Sequence, residues 1–140
     1  MNGMSRTKRA VGAAAVSLMA CGLIAGTAGG AQAATKDGVI QYGEFVQWYL
    51  PNYTHGCLDS QYGDYSLWDD YFRSCGQGSG GVGSRVANNA MSDWNYDSTY
   101  TAVVYTGYGY TGAYGYVRPN TGGNYNSSYT NNVESLSWRL

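Results

Sequence analysis

The chain has 140 residues, with eight Lys or Arg, nine Asp or Glu, one His and a formal net charge of −1. So few scattered basic residues argue against nucleic acid as a partner, because phosphate binding needs clustered Lys and Arg. A single His leaves little for base catalysis, and an enzyme is not expected.

The first 33 residues read as a leader. Arg6, Lys8 and Arg9 precede an apolar run from Ala10 to Ala28, and Ala31-Gln32-Ala33 offers a small-x-small cleavage site. That order predicts a secretory signal peptide over 1–33, cut after Ala33. A lipid-modified Cys21 fits less well, since Gly22, Leu23 and Ile24 carry the apolar run past it. The expected mature chain, 34–140, is a single secreted, extracellular domain. It is expected to be a monomer with no membrane association after cleavage. It keeps five basic against nine acidic residues, a net charge of −4, and every Tyr and Trp.

The mature chain shows no helical periodicity over three turns. Short runs rich in aromatic and β-branched residues predict strands instead, at "GEFVQWYL" (43–50), "TAVVYTG" (101–107) and "AYGYVR" (113–118). In the last, Tyr114, Tyr116 and Arg118 alternate with Ala113, Gly115 and Val117, one set on each face. Cys57 and Cys75 are an even pair in an exported chain and predict one disulfide, contributing roughly 3 kcal/mol on the chain-entropy estimate. The stretch "GQGSGGVGS" (76–84) reads as loop with no side chains to bury.

One pattern occurs twice. Trp48 to Gly56 reads aromatic-x4-Tyr-x-x-Gly and is followed by "NNAMSDW", Asn88 to Trp94. Tyr105 to Gly112 reads aromatic-x4-Tyr-x-Gly and is followed by "NNVESLSW", Asn131 to Trp138. Each copy predicts a folded hairpin in which a Gly takes the positive φ. A later Ser then hydrogen-bonds the exposed backbone of the bend, and Asn-Asn turns the chain. The chain therefore divides into two units, about 38–97 and 98–140, each a four-strand Greek key. Trp94 and Trp138 are expected at matching places in the core between them.

This double pattern resembles the βγ-crystallin superfamily. Within it, the mature chain is similar to the secreted actinobacterial peptidase-inhibitor family typified by the Streptomyces metalloproteinase inhibitor. The resemblance rests on "GEFVQWYLPNYTHG", on "VANNAMSDWNYDSTYTAVVYTGYGYTGAYGYVRPNTGG" and on "NNVESLSW". It implies an all-β, βγ-crystallin-like sandwich of two Greek-key units with no required cofactor, and an extracellular protease as partner. The chain departs from many relatives in having Val46 where they have Cys, and in having no Cys over 98–140.

An inhibitor of a metalloprotease or serine protease needs a loop already held in a substrate-like shape. Two places offer a rigid support with an apolar side chain: Tyr116-Val117-Arg118-Pro119, stiffened by the proline, and Cys57-Leu58, anchored by the disulfide. The alternative is a non-catalytic module binding calcium or cell-wall carbohydrate. In crystallin-type units the Asn-Asn-x-x-Ser stretch takes Ca²⁺ through oxygens, which nominates Asn88, Asn89, Ser92, Asn131, Asn132 and Ser135. Fifteen Tyr exceed what such a core can bury, so several must face water, where flat rings can stack on sugars. His55 as a base, or Glu44, Asp64, Asp69 and Asp70 as paired acids, are the enzyme candidates; a turn residue and solvated charges are the expected readings of each.

Overall fold

A computed structural model describes residues 35–140. The leader expected over 1–33 lies outside the described residues.

Seven strands are present: β1 (Phe45–Leu50), β2 (Thr54–Ser60), β3 (Ser92–Asn95), β4 (Thr101–Gly107), β5 (Thr111–Val117), β6 (Gly122–Asn124) and β7 (Ser135–Arg139). Among the described residues there is no helix. The strands form two antiparallel sheets, in the orders β2-β1-β3-β6 and β5-β4-β7. The two halves exchange their third strands. β6 belongs to the second half yet pairs with β3, Ser92 opposite Asn124. Reciprocally, Asp64 of the β2–β3 connection bridges Leu136 on β7, with N–H···O distances of 2.7 and 2.9 Å in the two directions. Each sheet is thus completed by the other unit, and the pair closes as one sandwich.

The core lies between the sheets. Phe45 and Leu58 face Ala102, Val104 and Leu136, and the long β2–β3 connection adds Leu67, Phe72, Val86, Ala87 and Ala90. Each fully buried Leu or Phe contributes about 1.5–3 kcal/mol. A second cluster covers the other face of the first sheet. There Val46, Trp48 and Cys57 pack with Ile40, Tyr53, Cys75, Trp94 and Tyr96. β1 is therefore buried on both faces, which explains why 45–48 reads as a continuous run rather than an alternation.

Three sequence expectations need correction. Trp94 and Trp138 do not match. Trp94 stands two residues after Ser92, so it shares that serine's face and packs outside the first sheet. Trp138 stands three residues after Ser135, so it points inward and meets Phe45 edge-on at 6.4 Å. One residue of offset reverses the face of a strand side chain. The positive φ expected at the glycine of the first hairpin falls on His55 (φ 71°), while its counterpart in the second is Gly112 (φ 80°). Gly56 serves packing instead: a Cβ there would lie 3.0 Å from Phe72. Finally, the Gly-rich loop is a lid over rings. A Cβ on Gly81 would fall 2.1 Å from Tyr49, and one on Gly80 2.5 Å from His55. Backbone bonds from His55 to Gln77 (2.7 Å) and from Gly56 to Gly80 (2.9 Å) hold the loop down.

Candidate functional site

The two hairpins are stapled identically. The Ser92 hydroxyl donates to Leu50 O (2.7 Å) and accepts from Tyr53 N (3.2 Å). The Ser135 hydroxyl donates to Gly107 O (2.7 Å) and accepts from Tyr110 N (2.9 Å). Both serines are fully buried. The Asn-Asn stretches lock the units together across a pseudo-twofold: Asn88 N donates to Val133 O and Asn131 N to Ala90 O, each at 2.9 Å. Asn88 and Asn131 sit at φ 61° and 54°, a conformation Asn tolerates. The side chains of Asn89 and Asn132 hold local carbonyls, of Arg85 (3.0 Å) and Ser128 (2.9 Å). The six residues nominated for calcium thus do the work of staples and turns. Each serine hydroxyl, donating one backbone bond and accepting another, keeps one lone pair for an ion.

The Cys57–Cys75 disulfide is formed, with Cα atoms 6.0 Å apart. Cys57 and Leu58 are buried in β2 at 0% and 1% exposure, so this pair cannot serve as a reactive loop in the folded protein. The other candidate is a strand. Tyr116 and Val117 end β5, Val117 pairs with Ala102, and its side chain packs against the core. Tyr116 and Arg118 face solvent. The turn that follows is braced: Asn95 Nδ2 donates to Val117 O (2.9 Å), Asn120 N to Asp97 O (3.0 Å) and Thr121 Oγ1 to Arg118 O (2.8 Å).

The carboxylates of the enzyme reading are structural. The Lys36 ammonium pairs with Asp64 and with Asp70, at 2.8 Å in the second case. Burial and the neighbouring Asp64 push Asp70 up to about 6, against the pull of Lys36. Burial also raises Asp64, but hydrogen bonding to Asp70 and Lys36 outweighs it, and Asp64 sits below its usual value. Asp59 accepts the Asp37 and Gly38 amides, both at 2.9 Å, and so pins the segment that precedes β1. Glu44, fully buried, is pushed up to about 7 by burial, with Asp59 and Asp37 adding to it. His55 lies against the glycines of the lid, and its buried Nδ1 has no partner among the described residues.

The second sheet carries the surface that the first lacks. A strip of tyrosines runs across it. Tyr108 meets Tyr65 at 4.6 Å, Tyr65 meets Tyr110 at 5.4 Å, and Tyr110 meets Tyr105 at 5.6 Å. Tyr105 then meets Tyr114 at 6.2 Å, and Tyr114 meets Tyr116 at 5.5 Å. At the end of the strip the Arg139 guanidinium lies 4.9 Å from the Tyr116 ring centre and donates to its hydroxyl at 2.8 Å. Tyr65, Tyr108, Tyr110, Tyr114 and Tyr116 are each about half exposed. A groove of about 460 Å³ runs beside Tyr105, Tyr114 and Tyr116, with Ser137 and Arg139 on its other wall. No Asp or Glu lines it. Sequence reasoning placed Tyr114 and Tyr116 on one face through their alternation. It missed Tyr65, which arrives from the first half of the chain through the Asp64–Leu136 bridge, and Arg139.

No known protein-family profile and no curated protein matches the chain. Solved structures do match. A domain from work on the evolution of the eye-lens βγ-crystallin domain fold superposes with a TM-score of 0.57 at 9% identity, over 72% of this chain and 89% of that one. The chain has the βγ-crystallin fold. A βγ-crystallin domain from Flavobacterium johnsoniae gives 0.52 at 16% identity, over 69% and 93%. The N-terminal domain of protein S gives 0.51 at 18%, over 69% and 94%. These likenesses concern the fold.

Proposed function

We propose that this chain is a secreted, non-catalytic binding module whose βγ-crystallin-like sandwich presents the tyrosine strip of its second sheet to extracellular carbohydrate. The observation that carries this reading is the bare outer face of β4 and β5: consecutive half-exposed rings beside an acid-free groove. Tyrosine suits sugars because its ring covers the apolar C–H face of a pyranose while its hydroxyl meets the rim. Contiguous exposed rings on an otherwise polar domain mark interaction surfaces. The rings are stepped: Tyr105 and Tyr114 tilt by 47° and Tyr114 and Tyr116 by 61°. A single polysaccharide chain, whose sugars rotate along its length, fits a stepped strip better than a flat crystalline surface does.

Affinity electrophoresis of the mature protein through gels containing soluble polysaccharides tests the reading. The parent is expected to be retarded by at least one polymer, and a Tyr110→Ala, Tyr114→Ala variant of unchanged fold to lose about tenfold in affinity, or about 1.4 kcal/mol. Parent mobility unchanged in every gel would end it.

The braced turn after β5 favours protease inhibition as a second reading. Arg118 is exposed on a turn fixed by hydrogen bonds on both sides, which meets the need for a loop ordered before binding. Its partner would be an extracellular metalloprotease or serine protease. Assays against a neutral metalloprotease and a subtilisin-type protease, with Arg118→Asp as the control, decide it. Full protease activity at micromolar parent protein removes this reading.

A further inference from the structure

The tyrosine strip is not uniform along its length, and its far end is cationic. Beyond Tyr116 lies a recess of about 260 Å³ lined by Thr101, Tyr116, Arg118, Arg139 and Leu140. It shares Tyr116, Arg139 and Leu140 with the groove beside the strip. No Asp or Glu lines either one. Among the described residues the ion pairs are those of Lys36 with Asp64 and Asp70, so no Asp or Glu pairs with Arg118 or Arg139, while Arg139 Nε donates to Leu140 O at 3.5 Å. Two such arginines at one corner are notable in a domain whose net charge is −4. The overall field of such a domain repels polyanions, so attraction for one needs arginines brought together locally, as Arg118 and Arg139 are in this recess.

Arg139 is also set in place before any ligand arrives. Its guanidinium carbon lies 4.9 Å from the Tyr116 ring centre, Nη1 donates to the ring hydroxyl at 2.8 Å and Nε to Leu140 O at 3.5 Å. The other guanidinium donors remain for a ligand. A guanidinium held by such contacts loses little freedom when it grips a planar acid. Because Arg139 covers Tyr116, the next open ring for a sugar is Tyr114, 5.5 Å along the strip. A pyranose stacked on Tyr114 then directs a ring substituent toward Arg139 and Arg118.

We infer that this end of the strip is a subsite for a carboxylated sugar, so that the polymer recognised is an acidic polysaccharide built of uronic acids. The inference rests on the carbohydrate reading above and gives it a ligand class. Phosphate would meet the same arginines, but a planar carboxylate at the edge of a sugar carried by Tyr114 matches the two-donor fork of a guanidinium.

The test compares polygalacturonate with its carboxyl-reduced, neutral form and with a glycerol phosphate polymer, by affinity electrophoresis or calorimetry on the mature protein. The parent is expected to bind polygalacturonate about tenfold more tightly than the reduced polymer, with that preference shrinking between 0.05 and 0.5 M NaCl as screening predicts. Arg118→Gln should erode the preference several-fold and leave binding to the reduced polymer unchanged, and Arg139→Gln, on the groove wall, should weaken the acidic polymer several-fold more than the reduced one. Tyr114→Ala should weaken both polymers alike. Equal affinity for the acidic and reduced polymers, or a preference that survives in the folded double arginine variant, overturns the inference while the carbohydrate reading stands. Tighter binding to the glycerol phosphate polymer overturns the carboxylate assignment. No binding to any polymer removes the carbohydrate reading and this inference with it.

Discussion

The two Greek keys begin from the same hairpin and end with different outer faces. In the first, Trp48 is buried and Tyr53 is wedged edge-on between Trp48 and Trp94, at 5.4 and 5.6 Å. Ile40, Trp94 and the Cys57–Cys75 bridge close over them. In the second, the equivalent Tyr105 and Tyr110 have no such cover and become the middle of an exposed strip. The difference comes from the additions to the first unit: the segment before β1 and the long β2–β3 connection with its disulfide and Gly-rich lid. A fold that doubles one motif has two outer faces. Here one is covered by a second hydrophobic cluster, and the other leaves its tyrosines exposed.

The largest effect expected follows from that cover. A Cys57→Ser, Cys75→Ser variant frees the β2–β3 connection from β2 and opens the first unit's cluster. It is expected to lose about 3 kcal/mol, or roughly 10–20 °C in thermal unfolding. The tyrosine strip, which has no part in that cluster, should keep its ligand affinity below the new melting temperature. If the variant lost binding as well, the two faces would not be independent.

Next in size are the staples, where the units should behave alike. Ser92→Ala and Ser135→Ala each leave a backbone N–H and C=O of a bend without their side-chain partner. Each is expected to cost about 1–3 kcal/mol by denaturant unfolding. A loss in one alone would show that the symmetry of the hydrogen bonds is not a symmetry of energies. Melting temperatures with and without millimolar Ca²⁺ add a second reading. A rise in the parent that Ser92→Ala abolishes would show that the stapled hydroxyl also ligates an ion.

These staples were legible in the sequence because their geometry is local: a hairpin bend fixes where one serine must reach, and spacing alone records it. The Greek-key pairing and the disulfide were legible for the same reason. What spacing did not record was parity. "SDW" and "SLSW" look alike, yet one intervening residue sends Trp94 outward and Trp138 inward. Nor did it record cover. Whether Trp48 and Tyr105 meet protein or water depends on what folds over them, Ile40 and Cys75 in the first case; the Gly-rich segment, which lies instead against Tyr49 and His55, was hidden because it consists of absent side chains. Leu58 was eligible as a loop residue only while its strand was undefined, and pairing with Gln47 places it; Val117 already fell at the end of the predicted strand over 113–118, and pairing with Ala102 keeps it there.

A third contrast is electrostatic. The raised carboxylates belong to the first half of the chain: Glu44 and Asp93, both at about 7, and Asp70 at about 6, each driven first by burial. Such a group keeps its proton in the folded state where the unfolded chain, titrating near 4, has lost it. Its contribution is therefore fully present below the unfolded value and is lost as pH rises through the folded value, here between about 4 and 7. In the second half, Glu134 is lowered by its bond from Asn88, so its contribution runs the other way and fades only as pH falls below the ordinary range. Four raised groups, Asp59 among them, against two lowered ones, Asp64 and Glu134, predict a protein several degrees more stable at pH 5 than at pH 8. Asp93→Asn should flatten the profile, since Asp93 is buried beside the Tyr125 hydroxyl and the Gly123 amide. A melting temperature that climbs from pH 5 to pH 8 would show that these carboxyls stay ionised in the fold.

The smallest effect concerns a position where the hairpins differ in backbone chemistry. Both bends need a left-handed residue two places after the motif tyrosine, filled by Gly112 in the second unit and by His55 in the first. A non-glycine residue there costs about 1–2 kcal/mol. For Gly112→Ala that strain comes with crowding, since the new Cβ would lie 2.5 Å from Thr106 Oγ1 and 3.1 Å from Gly107 N. A loss of about 1–3 kcal/mol is expected. His55→Gly relieves the strain, but it also removes the ring on which Gly78 and Gly80 of the lid rest. The two terms are of similar size and opposite sign, so stability should change by less than about 1 kcal/mol. The lid should nevertheless loosen, because its backbone bonds to His55 and Gly56 would lose the ring beneath them. Faster amide exchange at His55 and Gly56 in the glycine variant, with global stability little changed, is the expected signature. A clear gain in stability with exchange unaltered would mean that the histidine bears strain without supporting the lid, and that the cover of the first unit depends on the disulfide alone.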